Sequence, residues 1–168
     1  MSNDTIAGSG LEKMFYGQIL SILVIIPLVG WIAAIVGIVL FLVGLHQAAG
    51  ADEGYRTAFY VEIGILVLSV LAVFIGVLNI VTSILSLVVI YLVCTTTAGL
   101  LEVKGDLGTA ARGRFAWKFY GGCTALVVVC SILSLIPLVN ILAMVVIVPA
   151  SIASVVGGIL LLIFLYRA

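Results

Sequence analysis

The sequence predicts an all-α integral membrane protein, with six transmembrane helices arranged as three repeated helical hairpins. Three observations carry this. Of 168 residues, 65% are apolar or aromatic and 8% are charged, and mean hydropathy is +1.47. That is too little charge to cover a water-facing surface and too much apolar content for disorder. Second, the apolar run from Ala58 to Ala98 spans about 41 residues, or roughly 60 Å as a helix, twice the hydrocarbon thickness, so it must fold back. Third, Phe15-Tyr16, Phe59-Tyr60 and Phe119-Tyr120 each follow a nearby cation (Lys13, Arg56, Lys118) and each opens an apolar run. Recurrence of this kind indicates internal repeats.

The chain reads as one transmembrane domain, residues 1–168, with hairpins at about 10–48, 56–99 and 115–166 and cytoplasmic connections at 49–55 and 100–114. Six helices follow, at about 10–26, 30–48, 56–76, 80–99, 115–136 and 140–166. The residues before the first run carry no basic stretch and no cleavage motif, so that segment is expected to be retained. Ser9 and Glu12 have capping-box spacing and would start the first helix. Within each hairpin a breaker supplies the turn: Pro27 with Gly30, Gly76 with Asn79, and Pro137 with Asn140. Proline removes a backbone donor, and glycine and asparagine accept the left-handed conformation that ends helices. Ser21-Ile-Leu-Val-Ile-Ile-Pro27-Leu-Val and Ser131-Ile-Leu-Ser-Leu-Ile-Pro137-Leu-Val match closely, and the middle copy fits more loosely. Pro149, inside the last helix, predicts a kink.

Charge placement orients the hairpins. Every charged residue except Glu62 falls in the N-terminal tail, the two connections, the stretch running into Lys118, or the C-terminus. In the hairpin reading all seven Lys and Arg share one side with both termini, and the positive-inside rule makes that side cytoplasmic. The predicted setting is a prokaryotic cell membrane.

Glu62 is the one ionisable residue inside an apolar run. Intramembrane acids are costly and are functional candidates by default. Its closeness to Arg56 places it near the membrane boundary, where a carboxylate can snorkel or pair with Lys118, Arg56 or His46. His46 lacks other ligands at metal spacing and reads as a helix C-terminal cation. Arg112, Arg114, Trp117 and Lys118 form a basic, aromatic stretch suited to anchoring at the interface, or to contact with a lipid or partner. Gly30, Gly37 and Gly44 recur every seven residues, and Ala150, Ser154 and Gly157 line the last helix. Small residues there let helices approach closely. Thr82, Ser83, Ser86 and the run Thr95 to Thr97 are the other polar groups, and their hydroxyls can be satisfied on their own helix backbone. Cys94, Cys123 and Cys130 show neither disulfide nor zinc spacing and read as small hydrophobes. Nucleic acid is not an expected partner, because the cations are too few and too close to lipid. No motif for hydrolysis, phosphate binding or metal catalysis is present, so no enzymatic activity, cofactor or metal is expected.

The stretch Gly30, Gly37-Ile-Val, Leu42-Val-Gly-Leu45, Ala48, Asp52-Glu, Arg56 and Ala58-Phe59-Tyr60 resembles small archaeal and bacterial polytopic membrane families of unknown function. The resemblance covers about residues 14–65, with an echo in 115–145. It implies a polytopic fold and carries no activity and no functional residues.

With almost nothing predicted outside the bilayer, function must lie on lipid-facing or helix-facing surfaces. The leading expectation is a structural or accessory subunit that packs with itself or with another membrane protein, with membrane lipids as further partners. The alternatives are a small channel or transporter with Glu62 and the threonine end of the fourth helix near its entrance, or a membrane-shaping hairpin protein.

Overall fold

The computed structural model describes residues 3–22, 29–133 and 140–168. They form six helices: α1 (Asn3–Ile22), α2 (Val29–Ala48), α3 (Glu53–Ala72), α4 (Leu78–Val103), α5 (Leu107–Leu133) and α6 (Asn140–Arg167). Four segments are long and apolar enough to cross a membrane: Glu53–Ala72, Leu78–Val103, Leu107–Leu133 and Val145–Arg167. Ile32–Ala48 is a shorter apolar helix segment.

Helix starts differ from the sequence expectation, and local chemistry explains why. Helix α1 already runs from Asn3, so Ser9 does not cap it. The Ser9 hydroxyl instead donates to the Ile6 carbonyl, 3.0 Å away, within the helix. Helix α3 is capped by Asp52, whose carboxylate accepts from the Gly54 N–H at 2.7 Å. Helix α5 begins at Leu107, well before the expected 115. Gly105, at φ +84°, turns the chain, and Asp106 then caps the new helix by accepting the Thr109 N–H at 3.0 Å. The expected connection at 100–114 is thus mostly helix. As a result Phe119-Tyr120 lies partway along α5 rather than at its opening.

The Thr109 amide holds the Asp106 carboxyl below the usual carboxylate range. A pKa lowered by folding gives stability that is complete above the ordinary carboxylate pKa and is lost as pH falls through the lowered value. We expect Asp106→Asn to weaken the acid dependence of unfolding in detergent and to lower stability slightly near neutral pH, where the ionised carboxylate contributes.

The turn between α3 and α4 lies at residues 73–77. It closes through consecutive backbone bonds, including Ile75 N–H to Leu71 and Leu78 N–H to Ile75. Gly76 does not take the expected left-handed conformation; Gly105 is the positive-φ glycine among the described residues. Asn79 lies in the first turn of α4, where its carbonyl accepts the Thr82 and Ser83 hydroxyls. The breakers at Pro27 and Pro137 lie outside the described residues. Helix α6 continues through Pro149.

Neighbouring helices pack antiparallel. Gly10 faces Gly44 while Gly17 faces Gly37 across α1 and α2, and Gly113 meets Phe164 while Gly157 meets Tyr120 across α5 and α6. Each helix touches the next along the chain, and α6 returns to α1. The six form a closed ring: among the described residues the backbones of non-neighbouring helices stay more than 8 Å apart, and these helices meet through side chains in the middle. One end of the ring is plugged. Met14, Leu45, Tyr55, Ala58, Cys94 and Phe164, one or more from each of α1, α2, α3, α4 and α6, are buried there together with Ala110 of α5. This is the end that carries the connections at 49–52 and 104–106.

Tyr55 ties α3 to α4 inside the plug through a 2.6 Å hydrogen bond with Thr97. The Thr97 hydroxyl spends its one proton on the Val93 carbonyl at 2.7 Å, so Tyr55 is the donor. Tyr55→Phe removes that bond but leaves Thr97 satisfied on its own helix. We expect a loss of about 1 kcal/mol, read as a lower unfolding midpoint in detergent.

Candidate functional site

Just past the plug lies a partly open cavity of about 220 Å³ lined by residues of five helices: Gly17 and Gln18 of α1, Gly37, Ile38 and Phe41 of α2, Glu62 of α3, Ser86, Val89 and Ile90 of α4, and Tyr120 of α5. Only the interior of the ring touches so many elements at once. The space is large enough for several waters and has polar partners for them.

Glu62 stands at the midpoint of α3, not near its start as expected. The helix begins at Glu53, so Glu62 lies roughly 14 Å along it at 1.5 Å per residue. The expected pairings do not form among the described residues. Arg56 and Lys118 are exposed, His46 packs its ring on Phe59 at 5.1 Å, and the ion pair found there joins Arg114 to Glu102. Glu62 is thus half-buried and faces Gln18, Ser86 and Tyr120 across the cavity, with no cation opposite. The Ser86 hydroxyl donates to Thr82 at 2.9 Å, and its oxygen can still accept.

Gln18 is the residue that sequence reasoning missed, and a signal for it existed. Counted from the aromatic pairs, Gln18 follows Phe15-Tyr16 at the distance at which Glu62 follows Phe59-Tyr60. The same register extends to the second helix of each pair. Counted from Gly30 and Asn79, Gly37 matches Ser86 and Phe41 matches Ile90. All of these line the cavity, together with Gly17, Ile38, Val89 and Tyr120, which this register does not pair. Counted in the same way from Phe119-Tyr120, the matching position is Gly122, which faces a different space.

The glycines give the cavity its shape. A Cβ at Gly17 would lie 2.6 Å from the Gly37 carbonyl oxygen, and one at Gly10 would lie 2.6 Å from that of Gly44. Gly37 and Gly44 lie on the face of α2 turned to α1, opposite Gly17 and Gly10, which the sequence reading overlooked. A Cβ at Gly157 would lie 3.1 Å from the Tyr120 Cα, so this glycine lets α6 pack closely on another wall of the cavity. The Ser154 hydroxyl donates to the Ala150 carbonyl at 2.9 Å within its own helix. The packing of Gly30 lies outside the described residues.

The remaining candidates are not at this cavity. The threonine end of α4 belongs to the plug, where Thr97 is buried, and Thr95 donates to the Tyr91 carbonyl at 2.7 Å. The basic stretch separates into three places. Trp117 stacks edge-on to Tyr91 at 4.9 Å and shares with Lys118 an apolar groove of about 650 Å³ between α4 and α5. Arg114 pairs with Glu102. Arg112 joins Arg167 at a crevice between α5 and α6. Among the described residues no three His, Cys, Asp or Glu side chains gather to hold a metal. No family model, curated protein or solved structure matches this chain.

Proposed function

We propose that the chain is a small channel or transporter that handles a proton or a monovalent cation at Glu62, inside a membrane domain of six spans arranged as three hairpins. One observation carries the reading: a carboxylate with no described cationic partner faces an interior cavity lined by neutral polar groups from surrounding helices. A buried carboxylate is tolerated where a proton, a cation or water compensates its charge. A single carboxylate supplies one negative charge, and Gln18, Ser86 and Tyr120 offer oxygens without adding more. That donor set suits a monovalent ion rather than a divalent one, which favours several carboxylates. A site that draws part of its lining from corresponding positions of two sequence copies agrees with transporter architectures, in which the site lies at the repeat interface.

Both termini and the charged connections lie on the cytoplasmic side in this proposal, by the positive-inside rule. The cell membrane is prokaryotic, in keeping with the resemblance of residues 14–65. No catalytic chemistry is part of it.

The test is flux into proteoliposomes holding a pH-sensitive dye, with a sodium or potassium gradient imposed. The purified chain should give a cation-driven pH change above that of empty liposomes, and Glu62→Gln should remove it. A flux that survives Glu62→Gln, or none above the empty liposomes, contradicts the reading.

The expectation of an accessory subunit keeps one supporting observation, the open apolar α4–α5 groove beside Trp117 and Tyr91, a surface on which a helix of another copy or of a different membrane protein would pack. Mass measurement in mild detergent tests it. A stoichiometric complex lost on Gly122→Leu supports this reading, and a monomer contradicts it.

A further inference from the structure

We propose that the outer crevice between the start of α5 and the end of α6 binds an anionic phospholipid. The crevice holds about 310 Å³ and is walled by Phe115, Leu160, Ile163 and Phe164, with Arg112 and Arg167 also lining it. It is independent of the Glu62 cavity and lies on the outside of the ring, where Phe115 is 61% and Ile163 is 45% exposed.

Two cations brought to one apolar pocket repel each other unless an anion lies between them. Among the described residues neither Arg112 nor Arg167 forms an ion pair, whereas Arg114, two residues on from Arg112, is taken by Glu102. Asp106 is close enough to feel the charge of Arg112, but one of its oxygens already accepts the Thr109 amide. The guanidinium groups therefore remain available to a ligand. Their forked donors match phosphate oxygens in a bidentate manner.

The shape narrows the ligand further. Arg112 lies in the first turns of α5 and Arg167 at the last residue of α6, so both cations mark the end of the ring that carries the connections. Leu160 and Ile163 extend the wall one to two turns deeper. A phosphate bridging the arginines would therefore have its acyl chain running down the apolar wall, in the manner of basic pockets between membrane helices. Free phosphate leaves that wall unused. A zwitterionic lipid fills the wall but brings its own cation to the arginines. An anionic phospholipid satisfies both ends. A space of this size is at the lower end of ligand pockets, so it takes the headgroup and part of one chain.

The test is native mass spectrometry on the full chain in nonionic detergent, titrated with dioleoyl phosphatidylglycerol, dioleoyl phosphatidylcholine or inorganic phosphate. Phosphatidylglycerol should bind the unaltered protein about tenfold or more tightly than phosphatidylcholine. The double variant Arg112→Gln, Arg167→Gln should lose about tenfold or more of that affinity, on the scale of two lost arginine–lipid contacts. Arg56→Gln, which removes a cation at the same end but outside the crevice, should change affinity by less than about twofold, as expected for a distant surface charge. Equal binding of the two lipids to the unaltered protein overturns the proposal and does not depend on any variant folding. So does displacement of phosphatidylglycerol by an equal concentration of inorganic phosphate, which indicates a free-anion site. A loss from Arg56→Gln as large as that from the double variant also overturns it, by reducing the effect to general charge.

Discussion

Replacing Glu62 with leucine should make the protein more stable and abolish its ion flux. The two effects have opposite signs, and that makes the substitution informative. Glu62 is half-buried at the midpoint of α3, and among the described residues its carboxylate has no ionic partner. Leucine at that position removes the need to hydrate or neutralise a carboxyl group and gains apolar contact with Phe41, Val89 and Ile90, which line the same cavity. Replacing uncompensated buried charge by apolar groups is often stabilising, and we expect about 1–3 kcal/mol here. The gain should appear as a higher unfolding midpoint in detergent, alongside the loss of cation-driven pH change in liposomes. A carboxylate kept for structural pairing would behave in the opposite way, since its removal would strand a partner and lower the midpoint.

Gly17→Ala should destabilise the protein by about 1–3 kcal/mol, the range for overpacking a tight contact, while Gly8→Ala should stabilise it slightly. Both are glycines of α1, and alanine is the better helix former by about 1 kcal/mol in either position. Their surroundings differ. A Cβ at Gly8 meets nothing within 4 Å. At Gly17 it falls 2.6 Å from the Gly37 carbonyl oxygen and 2.8 Å from the Phe41 amide nitrogen. Those atoms are backbone and cannot move aside as a flexible side chain could, so α1 and α2 must separate. Gly17, Gly37 and Phe41 also line the cavity, so flux should fall together with stability. Unfolding midpoints of the two variants, measured side by side, check the predicted opposite signs.

The sequence made some of this architecture legible, for identifiable reasons. Helical content and the α3–α4 reversal follow from an apolar run too long for one crossing. Glu62 stands out because an acid in such a run has few inexpensive explanations. Its depth did not follow, because that depends on where α3 begins. The cap at Asp52 starts the helix ahead of the apolar run that was used to place it. The same cause displaced Tyr120, which reads as opening an apolar run until the Gly105–Asp106 turn starts α5 early. Gly37 and Gly44 were visible as a seven-residue stripe, yet the opposing Gly10 and Gly17 were not paired with them, because no pattern within one helix reports its neighbour. Gln18 was hidden for a related reason: a single neutral amide within a helix looks ordinary until its distance from Phe15-Tyr16 is set against that of Glu62 from Phe59-Tyr60. The three-way division of Arg112, Arg114 and Lys118 depends on the side of α5 that each occupies, and so on the helix extending through a stretch that reads as a loop.

The most direct measurement of the central claim is labelling of Glu62 by dicyclohexylcarbodiimide, which reacts with neutral carboxyl groups in apolar surroundings, followed by mass spectrometry of the labelled chain. The account predicts that Glu62 is modified in the folded protein, and that modification falls as pH rises and as sodium or potassium is added at constant pH, because proton and cation compete for one carboxylate. Modification of Glu62 that is indifferent to both pH and cation, or no modification of it at all in the folded chain, would contradict a cavity that holds an exchangeable ion.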